Sequence, residues 1–177
     1  KWIKVQGGFD ARTDTHRQFE REFRLDWQDR RPQRPALSLR RLSTTLNKGP
    51  WTFEAGRQFI RWGKTDLLTP TDRFAPKDFL SVANSDFLSV PAARLTWERG
   101  ANTIDIVMQA RFAPSRTPLL NQRWTALPPE TAGLGINDAG ARFPGGAPLG
   151  LRWNHIGRGY EFSLSGYDGY NHLPLFE

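Results

Sequence analysis

The feature that most constrains this chain is an alternation of apolar and polar residues with a period of two. After the turn at Arg99–Gly100, apolar residues occupy every second position from Ile104 to Phe112, with mainly polar ones between them. Successive side chains of a β-strand point to opposite faces, so the pattern is typical of strands with one apolar and one polar face. Short Gly-containing turns between such runs indicate antiparallel hairpins. The sequence predicts eight strands and no helix, with strands near 3–12, 19–27, 36–46, 50–62, 93–98, 104–112, 151–154 and 160–165.

Two of these strands require an irregularity. Arg40 and Arg41 are adjacent, and adjacent residues of a regular strand face opposite sides. A β-bulge at this point would turn both guanidinium groups to one face. A second bulge near Gly56–Arg57 would keep Arg61 on the polar face and Trp62 on the apolar face.

Alternation alone fits two classes of protein: a soluble β-sandwich or barrel with its apolar face inward, and a transmembrane β-barrel with that face outward. Three features favour the membrane. The polar faces are dense in opposite charges, which suits a water-filled lumen. The strands are about ten residues long, whereas soluble strands average ~5–6, and aromatic residues collect near strand ends. We therefore expect an all-β chain that forms one antiparallel transmembrane β-barrel domain over residues 1–177.

The lengths of the connections predict the orientation of the strands, because outer-membrane barrels have short periplasmic turns and longer external loops. The short connections lie near 16–18, 47–50, 99–102 and 156–159, and the long ones near 28–35, 63–91 and 113–148. This orientation predicts two aromatic girdles. The periplasmic girdle would contain Trp51, Trp97, Trp153 and Tyr160, and the external girdle Trp2, Trp27 and Trp62.

In the same orientation the first strand runs from the outside toward the periplasm. Barrels of this class normally start from the periplasmic side, so we expect at least one further strand before Lys1. Eight strands with such large charged side chains inside would also not close comfortably. The chain is therefore expected to be the N-terminal part of a larger barrel.

The stretch from Gly56 to Phe79, GRQFIRWGKTDLLTPTDRFAPKDF, is the most distinctive in the chain. Together with PAARLTW (91–97), QARFAPSRTP (109–118) and YDGYNHLP (167–174), it resembles a group of proteobacterial outer-membrane barrel channels that are similar in architecture to the alginate-export porins. The likeness runs from about residue 51 onward, and residues 1–50 match only as generic barrel strands. It implies a channel of about 14–18 strands, with long loops folded over or into the pore.

Arginines on the polar faces are the candidate pore-lining residues. The alginate exporters pass an anionic polysaccharide through an arginine-rich lumen, and rings of arginine in a pore favour anions. Alternatively, each arginine pairs with a neighbouring carboxylate and only stiffens the wall. The nine candidates are Arg12, Arg24, Arg40, Arg41, Arg57, Arg61, Arg94, Arg111 and Arg152.

The long segment 64–90 is a candidate constriction loop, whose charges would select solutes at the pore mouth. An ordinary surface loop is the alternative, since both outcomes are common for long loops. Its charged candidates are Asp66, Asp72, Arg73, Lys77 and Asp78.

No pattern indicates an enzyme, a metal site or a cofactor, because the three histidines are scattered and no nucleophile or phosphate-binding motif occurs. The expected function is passive passage or export of a polar or anionic solute across the outer membrane of a Gram-negative bacterium, with the lipid bilayer and lipopolysaccharide as partners. Two alternatives stay open. The net charge of +7, with interleaved aromatics, also suits a soluble β-rich nucleic-acid-binding domain, although acidic residues on the same strands would repel phosphates. The other alternative is a structural barrel with a blocked lumen.

Overall fold

The computed structural model describes residues 2–13, 19–20, 25–26, 30–63, 69–80, 86–118 and 140–173. Over these ranges the chain is all-β, as the sequence predicts, and contains no helix long and apolar enough to cross a membrane. Seven of the described strands have eight to twelve residues: β1 (Ile3–Ala11), β3 (Leu37–Lys48), β4 (Trp51–Gln58), β7 (Val90–Arg99), β8 (Asn102–Gln109), β9 (Leu149–Ile156) and β10 (Glu161–Asp168). Three have two residues each: β2 (Leu25–Asp26), β5 (Lys77–Asp78) and β6 (Asp86–Phe87).

The seven long strands form one antiparallel sheet in the order β1-β3-β4-β7-β8-β9-β10. The three predicted hairpins β3–β4, β7–β8 and β9–β10 are confirmed, and their tight turns lie at one end of the sheet. The longer connections leave from the other end, where β5 and β6 make a separate two-stranded ribbon. In the described part of the chain β1 and β10 do not pair with each other, so the sheet is open.

Of the predicted strand at 19–27 the structure describes residues 19, 20, 25 and 26, and these do not pair in antiparallel fashion with the sheet. They form an isolated bridge, from Phe19 to Arg34, and the two-residue strand β2, which runs parallel to β3. One edge of β3 is occupied by β1 and the other, from Leu42 to Lys48, by β4, and β2 pairs only with Leu37 and Ser38. Because β1 pairs antiparallel with β3, its direction is the reverse of the predicted one. The strand directions therefore no longer require a further strand before Lys1.

Of the two predicted bulges, the first is confirmed and the second is wrong. The register of β1 and β3 passes from Gly8 opposite Arg41 to Phe9 opposite Leu39, so Arg40 is the extra residue. Through β4 the register is unbroken on both sides. The backbone instead bends at Gly56, which has φ +122°. A Cβ there would lie 2.3 Å from the Leu42 carbonyl oxygen, so this position requires glycine.

One face of the sheet is apolar and exposed. Directly opposite residues form an unbroken apolar row across six neighbouring strands, which consists of Ile3, Leu46, Phe53, Leu95, Ile106 and Leu151. A second row toward the tight turns consists of Trp51, Trp97, Ile104, Trp153 and Leu164. Ile3 is 61% exposed and Leu164 69% exposed, so the described chain leaves this face largely uncovered.

The buried core lies against the opposite, polar face. Ile60, Trp62 and Phe74 come from the connections and pack on Val107 and Ala92 of that face. The rings of Trp62 and Phe74 meet edge to face at 5.2 Å. We call the segments that fold onto this end of the polar face the loop cluster, which comprises residues 30–36, 59–63, 69–80, 86–89, 110–118 and 169–173.

Candidate functional site

The middle of the polar face carries paired charges. Arg94 on β7 donates two hydrogen bonds to Asp105 on β8, at 3.0 and 2.9 Å, and Thr96 Oγ1 donates a third at 2.5 Å. On the neighbouring strands Glu54 accepts hydrogen bonds from Arg41 at 2.9 Å and from Ser43 at 2.6 Å. Both carboxylates are nearly enclosed by their donors. Arg41 and Arg94 therefore each pair with a carboxylate on a neighbouring strand.

Other arginines of this face are less fully paired. Arg152 lies opposite Asp105, and its one hydrogen bond in the described chain is a long contact of 3.4 Å to Asn154. Arg12 pairs with Asp10 at 3.0 Å. The same carboxylate lies 3.7 Å from Arg40, whose side chain is half exposed. Positive charge therefore exceeds negative charge along β1, β3 and β9.

A shallow cleft, open to solvent, lies between β1 and β3 on one side and the β5–β6 ribbon on the other. Its guanidinium groups are those of Arg12, Arg40, Arg57 and Arg116, and its carboxylates those of Asp10, Asp78 and Asp86. Phe59 and Phe87 also line it. The cleft thus combines arginines, a smaller number of carboxylates and apolar rings in one concave surface.

The floor of the cleft is held by Asp78, which is 2% exposed. Its carboxylate accepts hydrogen bonds from Arg34 at 2.6 Å and from Arg116 at 3.1 Å, and it also caps the backbone N–H of Leu80. Sequence analysis did not identify Arg34 or Arg116, because they come from distant connections without periodicity. Asp78 therefore ties three segments of the loop cluster together.

Asp72 has a similar structural role. One of its oxygens accepts the backbone N–H groups of Trp62 and Gly63, each at 2.6 Å, and the other accepts Thr69 Oγ1 at 2.7 Å. Its side chain is 3% exposed. Hydrogen-bond donors of the chain therefore enclose both Asp72 and Asp78, and the selection of solutes by these charges stays a prediction.

The remaining constriction-loop candidates differ in their environments. Arg73 is exposed, and the Lys77 ammonium lies 4.9 Å from the centre of the Phe87 ring. Asp66 lies outside the described residues. The structure therefore brings only Lys77 and the enclosed Asp78 of this set close to the cleft.

The nine predicted pore-lining arginines fall into three groups. Arg12, Arg40, Arg41, Arg57, Arg94 and Arg152 lie on the polar face or in the cleft. Arg57 is buried and donates to Ser89 at 2.8 Å. Arg61 and Arg111 lie in the connections beyond β4 and β8, and Arg61 stacks 4.1 Å over the Phe87 ring. Arg24 lies outside the described residues.

The predicted aromatic girdles are corrected to one belt. Trp51, Trp97, Trp153 and Tyr160 lie at the tight-turn end. Trp2 lies at this end too, because β1 is reversed; its carbonyl accepts the Asn47 N–H at 2.8 Å. Trp62 is 4% exposed in the core, since the chain leaves the sheet after Gln58 and folds inward. Trp27 lies outside the described residues.

His172 joins two further segments of the loop cluster. Its Nδ1 lies 2.7 Å from the Ala113 carbonyl oxygen and its Nε2 2.7 Å from that of Arg73, while its ring stacks on Phe112 at 5.4 Å. Burial lowers the pKa of His172, and this effect exceeds that of the two carbonyls, which raise it. The neutral ring that burial favours can donate to only one of the two carbonyls.

Comparison with protein-family models, curated proteins and solved structures finds no match for this chain. The resemblance of residues 51–177 to outer-membrane channels therefore stays a prediction.

Proposed function

We propose that this chain forms part of the wall of a transmembrane β-barrel channel in a bacterial outer membrane, through which a polar solute of negative charge passes. The observation that carries the proposal is the exposed apolar face. Its rows extend across neighbouring strands, and large contiguous apolar patches are uncommon on soluble monomers. A bilayer would cover this face, and the aromatic belt at its tight-turn end would lie at the interface with the headgroups.

The polar face supports a lumen on the other side of the wall. Water would solvate its ion pairs, and the excess of arginine along β1, β3 and β9 would attract anions. The loop cluster lies on this face and would narrow the lumen at one mouth. Further strands beside β1 and β10 would close the barrel and satisfy their unpaired backbone groups, as a bilayer demands.

The nucleic-acid alternative fits the two faces poorly. Binding of a single strand would require aromatic rings that stack on bases beside cations that contact phosphates. Here Trp51, Trp97 and Trp153 lie on one face of the sheet, and Arg41 and Arg94 lie on the other. No single strand of nucleic acid could use both sets at once.

A structural barrel with a blocked lumen has one observation in its favour. The loop cluster is packed through buried side chains such as Phe74 and Asp78, so it does not resemble a loosely attached flap. Conductance is the measurement that distinguishes an open channel from a blocked barrel.

The test is single-channel recording from the purified full-length protein in a planar bilayer under a KCl gradient. We expect discrete current steps and a reversal potential on the anion side. Insertion without steps would favour the blocked barrel. A cation-side reversal potential would overturn the negative solute, and protein that stays soluble without detergent and never inserts would overturn the membrane proposal.

A further inference from the structure

Arg40 occupies an unusual position in the cleft. It is the extra residue of the β-bulge opposite Gly8 and Phe9, and its side chain reaches the polar side, where Asp10 lies. Bulges re-aim side chains and are over-represented beside functional sites. The backbone irregularity therefore places one additional guanidinium at the rim of the cleft.

The guanidinium of Arg40 has capacity for a ligand. Within the described chain it donates no hydrogen bond; its contacts are the 3.7 Å approach to Asp10 and a position 5.9 Å from the centre of the Phe59 ring. Arg12 binds Asp10 more closely, at 3.0 Å, and compensates its charge. Arg40 thus offers a planar fork of N–H donors, half exposed, which matches a carboxylate.

The surroundings of Arg40 indicate the rest of the ligand. Phe59 and Leu88, which are both partly exposed, line the cleft beside the guanidinium, so a carboxylate held by Arg40 would place its attached group against apolar surface. A small inorganic anion would leave that surface uncovered. A carboxylate that carries a flat apolar body would use both parts of the cleft.

We infer that the cleft is a binding station for small organic carboxylates with a planar apolar group, with Arg40 as the residue that engages the carboxylate and Phe59 as the surface for the body. This inference rests on the proposed function, because a station in the lumen serves a channel. Binding there is weak, since a permeating solute must also leave.

The experiment measures block of the single-channel KCl current by benzoate, with benzamide as an uncharged probe of the same shape and acetate as a carboxylate without the ring. We expect saturable block by benzoate and little block by either of the others at equal concentration. Arg40→Gln should weaken block about tenfold, the effect expected for loss of one charge-assisted pair. The block constant of Arg40→Lys should lie between those of the wild type and Arg40→Gln, because lysine keeps the positive charge but lacks the planar pair of N–H donors.

Arg152→Gln is the matched control, because Arg152 lies on the same polar face, outside the cleft, and also lacks a carboxylate partner in the described chain. Its block constant should change less than that of Arg40→Gln, because Arg152 can attract the anion only from a distance and does not touch the cleft. Equal weakening by Arg152→Gln and Arg40→Gln would overturn the assignment to the cleft. Equal block by acetate and benzoate would overturn the apolar part of the inference.

A second readout separates failure of the station from failure of the channel. Line broadening of 4-fluorobenzoate in ¹⁹F NMR, with the protein in detergent micelles, requires no conductance. Broadening that disappears in Arg40→Gln but not in Arg152→Gln supports the station even if no current steps are found. Current steps without such broadening retain the channel and overturn the station.

Discussion

The two ends of the sheet are built on different principles. At the tight-turn end, hairpins such as Lys48–Trp51 are short, and large aromatic side chains point away from the polar face into the surroundings. At the other end, long connections fold back over the polar face and bury Trp62, Phe74 and Asp78. One end therefore depends on the medium outside the protein, whereas the other depends on contacts within the chain.

This difference is visible in two tryptophans. Trp153 is 40% exposed and donates its Nε1–H to Asn102 at 3.1 Å. Trp62 is 4% exposed, and its Nε1 has no hydrogen-bond partner in the described chain. The same residue type is exposed at one end and buried at the other, so the presence of a tryptophan in the sequence does not by itself predict its environment.

The largest effect is expected at the buried carboxylate of the loop cluster. Asp78→Asn removes the charge that compensates Arg34 and Arg116, and breaking a buried pair in this way costs about 3–5 kcal/mol. We expect the loop cluster to open while the sheet persists, which limited proteolysis and hydrogen exchange would detect. Asp86→Asn, on the exposed neighbouring strand of the same ribbon, is the control. Equal protection of the loop cluster from proteolysis and hydrogen exchange in both variants would show that the Asp78 ion pairs do not hold it together.

The next effect tests the dependence on the medium. Leu151→Arg places a charge in the middle of the exposed apolar row, and in a bilayer this should lower the free energy of unfolding by about 2–4 kcal/mol. Ser163→Arg, on the polar side of the adjacent strand, should change it by less than about 0.5 kcal/mol. Denaturant titrations in lipid vesicles measure both. Equal values would mean that the apolar face does not contact lipid.

A smaller effect distinguishes the two tryptophans. Trp153→Phe loses the hydrogen bond to Asn102, which is worth about 0.5–1.5 kcal/mol. Trp62→Phe loses no hydrogen bond known in the described chain, so its cost should come from packing against Phe74. Unfolding in lipid should therefore report the first substitution, and proteolysis of the loop cluster the second. The reverse pattern would contradict the contrast between the ends.

The smallest effect concerns pH. Because burial lowers the pKa of His172, the unfolded chain binds more protons at this site, and stability rises with pH. The contribution is complete above the unfolded pKa of about 6.5 and is lost as pH falls below it. The positive charge of Arg73 also lowers the pKa of His172 and so acts in the same direction. Protection of the loop cluster should fall from pH 8 to pH 5, and His172→Gln should abolish this change; greater protection at pH 5 would refute the sign.

The regular part of the fold could be predicted because its information is local. Residues such as Ile104, Ile106 and Met108 alternate within one strand, and the tight turn beside them fixes which strand pairs next. The bulge at Arg40 was also predictable, since two adjacent arginines cannot otherwise share a face. Both inferences require only a few neighbouring residues.

The loop cluster could not be predicted for the opposite reason. Asp78, Arg34 and Arg116 meet across long separations, and nothing periodic links them. The prediction for Trp62 was wrong because the alternating pattern of the sequence continues beyond Gln58, whereas the backbone leaves the sheet there. Residues 19–27 misled in the same way, because alternation does not show whether an edge of β3 is available.

Gly150 makes the packing of two loop-cluster side chains depend on a strand that comes later in the sequence. A Cβ at this position of β9 would lie 2.5 Å from Phe74 and 2.7 Å from Trp62, so the two rings rest directly on the bare backbone of the strand. The ribosome makes both rings well before it makes Gly150. Part of the surface on which they pack is supplied by β9, so their packing is complete only once β9 has paired with β8. The packing of Trp62 and Phe74 thus depends on a strand that follows both residues in the sequence.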